Sequence, residues 1–295
     1  MGQADRGVNR PGRTRTLRHD GGGMAWELAY ATPSPRVAPY VRELCGFWEM
    51  TAVPMLRREF PESQFVMVIE FGPPLAVYGP YNHMEPARHS TGFIAGMHDC
   101  FAVTESVGSM RGLQVNFTPL GARLFLGLPL HELFRRVVSI DDILSAEGPR
   151  LASQLHDLND WEARFALVER VIETRIAAAK PLSRGVVWAW QQLETTQGRV
   201  EIGALATKLE WSRKHLIAQF HDQIGVPPKL AGRILRFEQA IERLKADTVT
   251  SLAELALDCG YYDQSHLARD LKDFTGLSPR ELAKRRLPDG AGFGF

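Results

Sequence analysis

The chain has only three cysteines among its 295 residues, Cys45, Cys100 and Cys259, and no two of them form a CxxC spacing. That shortage excludes a disulfide framework and a structural zinc ribbon, so reduced thiols are expected. Long apolar runs are missing too. None approaches the roughly 20 residues that span a bilayer, and no membrane partner is expected. The opening "MGQADRGVNRPGRTRTLRHDGGG" carries five arginines but lacks the apolar centre of a secretory signal, which points to the cytoplasm. Apolar side chains are so scarce over residues 1–23 that a disordered tail is expected there, with Met24 a candidate true start. Net charge is also small, +1 overall, so charge alone does not announce a nucleic-acid partner. The total hides a mild polarity of about +3 up to Gly23, about −4 over 24–182 and about +2 beyond. With 44% hydrophobic and 23% charged residues, the remainder is ordinary globular sequence, long enough for two domains.

What is present falls into two periodicities. From Trp26 to about Thr118, short runs rich in β-branched and aromatic residues ("CGFWEMTA", "QFVMVIEFG", "GLQVNFTP") are separated by breakers such as "GPP" and "YGPYNH", which predicts an antiparallel barrel or sandwich. Past Pro119, apolar residues recur three and four apart in "LHELFRRVV" and "WEARFALVERVIETRIAAA", with Asp160 placed to cap the latter as a helix. The pattern breaks around Lys180, Pro181 and Ser183. The fold class is therefore α+β: a β-rich regulatory domain over 24–182 with helices after about 118, an all-α domain over 183–287, and a short tail over 288–295.

Within the helical part, "EWSRKHLIAQFHDQIGVPPK" (210–229) and "YYDQSHLARDLKDFTGLSPR" (261–280) superimpose without a gap at an offset of 51 residues. His215 falls on His266, Leu216 on Leu267, Asp222 on Asp273, Gly225 on Gly276 and Pro228 on Pro279. Each copy reads as a short helix, from Ile202 and from Leu252, then a tight turn, an N-capping residue (Ser212 or Asp263) and a second helix. Leu216 with Phe220, and Leu267 with Leu271, lie four apart and face one core. Gly225 and Gly276 stop the second helices, and "PKLAGRILRFEQAIERLKAD" between the copies predicts a continuous linker helix.

The stretch "LALDCGYYDQSHLARDLKDFTGLSP" resembles the signature of the AraC family of transcription regulators, through Ala256, Gly260, Tyr261, Gln264, Ser265, His266, Arg269, Lys272, Phe274, Gly276, Ser278 and Pro279. Leu267 and Leu271 stand where that family usually has phenylalanine. Together with Leu205, Ala206, Ser212, His215, Leu216, Phe220, Gly225, Pro228, Arg236 and Ala240 upstream, the resemblance covers about residues 184–286. It implies a double helix-turn-helix that binds double-stranded promoter DNA and works on RNA polymerase. The expected partners also include a small-molecule effector of the N-terminal domain and a second copy of the chain.

If the second helices enter the major groove, the DNA-binding candidates are Arg213, Lys214, His215, Ile217 and Ala218 in copy one, and Gln264, Ser265, His266, Arg269 and Lys272 in copy two. Arginine pairs with guanine and glutamine with adenine, whereas Ile217 and Ala218 reach only thymine methyls, so an asymmetric site is expected. The two histidines suit packing against the turn as well as DNA contact. His83, His89, His98, Asp99 and Cys100 form a loose cluster without a matched second pair, and no metal or other cofactor is expected. Trp26, Phe47, Trp48, Phe65, Phe71, Phe93, Phe101 and Phe117 are the aromatics from which a small-molecule pocket in the β-domain would be lined, most of them as ordinary core. Trp188 and Trp190 lie two apart on one helix and cannot share a face. Two other classes compete: a DNA-targeted enzyme, for which no nucleophile–base pair is evident, and an effector-independent architectural or anti-activator protein.

Overall fold

The structure is a computed structural model that describes residues 13–21, 23–79, 82–246 and 251–285, with the backbone alone at 82–84. Its N-terminal half is one nine-stranded antiparallel sheet. The strands are β1 (Thr14–Gly21), β2 (Met24–Ala31), β3 (Val41–Glu59), β4 (Phe65–Glu70), β5 (Ala76–Gly79), β6 (Asn82–Arg88), β7 (Gly92–Ala95), β8 (Ala102–Phe117) and β9 (Val137–Ser139). They run in the order β1-β2-β3-β8-β4-β7-β9, and β5 joins β8 to β6. The long strands β3 and β8 are shared by two halves. Their ladder shifts register between Thr51 and Met55, opposite Gly108 at φ 72°. On one side of the shift β8 pairs with β4, and on the other with β5. Pro54 sits in the shifted segment, where its missing N–H costs no ladder bond.

Residues 14–21, expected in a disordered tail, form β1 instead. They pair with β2 in unbroken register from Thr14↔Ala31 to Gly21↔Met24. Backbone hydrogen bonds order this edge strand, and Arg18 and Arg13 add ion pairs to Glu27 and Glu169. Low apolar content is no guide for a strand whose side chains stay at the surface. Residues 1–12 and 286–295, including the expected C-terminal tail, lie outside the described residues.

The helices are α1 (Pro119–Leu126), α2 (Ile140–Leu144), α3 (Glu147–Asp157), α4 (Trp161–Ala178), α5 (Arg184–Thr195), α6 (Ile202–Lys208), α7 (Arg213–Gln223), α8 (Pro228–Lys245), α9 (Leu252–Asp258), α10 (Gln264–Thr275) and α11 (Pro279–Lys284). Asp160 caps α4 by accepting the Ala163 N–H at 2.8 Å. One hydrophobic core runs from the helix-facing side of the sheet (Leu44, Phe65, Phe117) through Trp190 of α5 to Leu216 and Phe220 of α7. A separate core holds Phe237, Leu255, Leu267, Leu271 and Phe274. The expected boundary near Pro181 falls between α4 and α5, yet the packing does not divide there. The first helical unit shares the core of the sheet, and the second has its own.

Candidate nucleic-acid interface

The two helix-turn-helix units are built alike at their N-termini. Ser212 Oγ accepts the His215 N–H at 3.1 Å, and Asp263 Oδ1 accepts the His266 N–H at 2.7 Å, so each cap satisfies a donor that the helix leaves open. Leu216 and Phe220 turn one face of α7 inward, and Leu267 and Leu271 do the same for α10. The opposite faces are left to solvent. Arg213, Lys214, His215, Ile217 and Ala218 are exposed on α7, and Gln264, Ser265, Arg269 and Lys272 on α10, while His266 is half-buried.

Several of these side chains already have work within the protein. His215 meets the edge of Trp211 with ring centroids 4.6 Å apart, and His266 meets Tyr261 at 5.1 Å. Both histidines therefore pack against the turn that precedes their helix. Lys272 Nζ donates to the Gly276 carbonyl at 2.8 Å and closes the end of α10. The Arg213 guanidinium lies over Gly203 of α6, where a Cβ would come within 3.0 Å of it. Lys214, Ile217, Ala218, Gln264, Ser265 and Arg269 remain as the outward set.

One exposed residue was not among the expected contacts. Tyr262, in register with Trp211, is 86% exposed and immediately precedes the α10 cap. In copy one the tryptophan is tucked against Gly185, where a Cβ would meet its ring at 2.5 Å. In copy two the neighbouring Tyr261 takes the buried place, beneath Arg236 at 5.5 Å, and releases Tyr262. The signal was legible as "YY" after Gly260, where one aromatic suffices for packing.

The linker helix α8 joins the units by specific contacts. Arg233 donates to Asp270 at 2.7 Å and Asp273 at 3.0 Å while its guanidinium lies 4.9 Å from the Phe274 ring centre. Burial acts to lower the arginine's pKa, but its hydrogen bonds and ion pairs to Asp270 and Asp273 together outweigh burial and raise it. Toward copy one, Gly232 and Gly198 bring two backbones together; a Cβ on Gly198 would stand 2.2 Å from the Gly232 carbonyl oxygen.

Residues 205–285 match the family model described as a helix-turn-helix domain. This C-terminal segment is a helix-turn-helix domain of the AraC type. Residues 30–139 match a second model, described as a domain of unknown function (DUF6597). Among solved structures, ToxT from Vibrio cholerae is similar over 89% of this chain and 98% of its own, at 8% identity and a TM-score of 0.46. The C-terminal domain of AraT, a response regulator from Geobacillus stearothermophilus, is similar over 37% of this chain and 93% of its own, at 23% identity and TM-score 0.34. The AraC-like transcriptional activator CuxR is similar over 78% and 88%, at 14% identity and TM-score 0.31. No curated protein matches the chain by sequence.

The N-terminal domain touches both units of the AraC-type domain, and at the same register position. A Cβ on Gly225, behind α7, would meet Phe65 Cζ at 3.0 Å and Leu130 Cβ at 3.2 Å. A Cβ on its counterpart Gly276, behind α10, would meet Phe101 Cε1 at 2.6 Å. Arg58 completes the second contact, donating to the Thr275 carbonyl at 3.1 Å and lying 4.3 Å from the Phe101 ring centre. Between them, the Ser63 N–H and hydroxyl donate to Glu238 of α8, and Arg42 donates to Ser63 at 3.0 Å and Glu194 of α5 at 3.3 Å. Burial raises the pKa values of Glu238 and Glu194, against the pull of Arg42.

The aromatics expected around a pocket divide. Phe65 and Phe117 are helix-facing core, Phe71 packs against that core, and Phe101 belongs to the contact with α10. Phe47 and Phe93 lie on the other face of the sheet. In the loose cluster, His98 Nδ1 bonds to the Cys100 carbonyl at 2.5 Å, and Asp99 is held by Arg135 at 2.6 Å. The His83 side chain lies outside the described residues. Among the described residues no group of three or more His, Cys, Asp and Glu is placed to hold a metal ion. None of the described helices is long and apolar enough to cross a membrane. Trp190 is fully buried in the shared core, and Trp188 packs against it from the side.

Proposed function

We propose that the chain is a sequence-specific transcription regulator whose helices α7 and α10 enter successive major grooves, roughly 34 Å apart on B-form DNA. The observation that carries this reading is the division of labour between the repeats. The positions that agree (Leu216/Leu267, Gly225/Gly276, Pro228/Pro279) are used for packing and turns, while the outward residues differ. Arg269 and Gln264 have the chemistry for guanine and adenine, and Lys214 the charge for a phosphate or guanine. Ile217, 42% exposed, and Ala218 offer only apolar contact. The N-terminal domain senses a small molecule and passes its occupancy to the AraC-type domain through the contacts at Gly225 and Gly276. RNA polymerase and a second copy of the chain complete the set of partners. Selection of bound fragments from random duplex DNA tests the core of this reading. The expected product is an unsymmetrical site with two unlike half-sites about one helical turn apart. Recovery of fragments without a shared sequence, or of a perfect palindrome per monomer, would remove it.

A further inference from the structure

The turns of the two helix-turn-helix units differ by one residue, which the gapless alignment conceals. In copy one the N–H groups of Leu209, Glu210 and Trp211 donate to the carbonyls of Leu205, Thr207 and Ala206. In copy two Cys259, Gly260 and Tyr261 repeat these bonds to Leu255, Leu257 and Ala256, each 50 positions further on. Glu210 and Gly260 hold the left-handed position of each turn, at φ 56° and 76°. The caps that follow, Ser212 and Asp263, are 51 positions apart. Trp211 alone therefore separates the left-handed position from the cap in copy one, whereas Tyr261 and Tyr262 both do so in copy two.

Tyr261 takes the tryptophan's place. It meets His266 edge-on as Trp211 meets His215, it is 2% exposed, and Arg236 of α8 lies over its ring. Tyr262 is the residue in excess, 86% exposed and next to the cap of α10. An extra turn residue needs no aromatic ring, since glycine, serine or asparagine would close the loop and leave less apolar surface in water. Beyond the cap, Gln264, Ser265 and Arg269 are exposed on α10. A helix-turn-helix presents the N-terminal residues of its second helix to the base edges. A residue just ahead of the cap then stands at the rim of the groove, where the phosphates run.

We propose that Tyr262 anchors the second unit to the DNA backbone, its hydroxyl donating to a phosphate at the rim of the groove that α10 enters and its ring lying against the adjoining deoxyribose. The proposal rests on the DNA-binding reading of α7 and α10 and adds a positioning residue to it. A phenol is a neutral donor, so this contact fixes the seating of α10 without reading a base and without displacing a counterion. Copy one has no equivalent, because its turn lacks the residue and Trp211 is committed to Gly185 and His215. The anchor thus falls on the unit that has its own core, not on the one that shares the core of the sheet.

The test uses the full chain, a two-half-site duplex obtained by selection, and the variants Tyr262→Phe and Tyr262→Ala. At 86% exposure neither change removes packing, so both variants should melt with the wild type. Tyr262→Phe is expected to weaken binding about fivefold and Tyr262→Ala about tenfold, equally for every base variant of the α10 half-site and with an unchanged salt slope. Single phosphates of that half-site are then replaced by methylphosphonates. One position should cost Tyr262→Phe about fivefold less than it costs the wild type, because the variant has no hydroxyl to lose there. Wild-type affinity in Tyr262→Ala, a loss confined to one base pair, or the absence of any such phosphate would overturn the assignment and leave the regulator reading standing. A wild type that selects no sequence would sink the regulator reading, and this assignment with it.

Discussion

Arg269 and Glu70 show how exposure decides what a charged side chain does. Arg269 stands outward on α10 beside Gln264 and Ser265. Replacing it with alanine should cost about 1–3 kcal/mol at one half-site and little at the other, as measured by DNA binding to singly altered duplexes. A uniform loss across sequences would instead make it a phosphate contact, with a shallower salt dependence. Glu70 is the inverse case, a carboxyl whose folded pKa lies above its unfolded value. As pH rises from about 4.5 to about 7, the unfolded chain releases this proton while the folded one retains it, so stability falls through that window, by up to about 3 kcal/mol, and is level above it. Glu70→Gln removes the effect. Relative to wild type it should be more stable at pH 8 than at pH 5, and thermal melting at the two pH values checks this.

At the scale of elements, the caps and the α8–α10 ion pair set the stability of each unit. Ser212→Ala and Asp263→Ala should each cost about 1 kcal/mol by removing an N-cap. Because α7 shares the core of the sheet and α10 does not, the first should show in the main melting transition. The second should show as faster hydrogen exchange confined to residues 251–285. Asp270→Ala leaves Arg233 facing a buried space and should cost about 2–4 kcal/mol, below the full penalty for a broken buried pair because Arg233 is partly exposed. Denaturant melting followed at the second unit reads this directly. These elements were also the legible part of the sequence. A repeat with its caps, stop glycines and prolines specifies helices through local chemistry, and Ser212, Asp263, Gly276 and Pro279 all stand where that chemistry places them. The strand β1 was not legible, because it is held by backbone pairing rather than by side-chain pattern. The exposure of Tyr262 is illegible for a related reason: which of two adjacent tyrosines is buried depends on α8, through Arg236, and not on the turn itself.

For the whole molecule, the site candidates depend on contacts that no local pattern encodes. The roles of Phe65, Phe101, Arg58 and Ser63 come from the packing of the sheet against the helical half, between residues separated by 160 positions or more in most cases. Phe101→Ala should free the second unit without disturbing the first. The expected result is faster hydrogen exchange over α9 and α10, unchanged exchange in α7, and weaker binding to a two-half-site duplex with the affinity for the α7 half-site kept. Equal protection in wild type and variant would show that the contact does not hold α10.

The seating of Gly225 and Gly276 on one domain bears on how this chain can change over time. Inserting one residue in α8 would turn everything beyond it by about 100° and advance it by about 1.5 Å. Gly276 would then leave Phe101 even while Gly225 stayed on Phe65 and Leu130. On the proposed reading, the offset of 51 residues between the copies would therefore be guarded twice, by the groove spacing of the DNA and by the sheet behind the helices. A descendant that reads half-sites at a new separation must alter the linker and the sheet together, whereas one that reads new bases needs to change only the outward residues of α7 and α10.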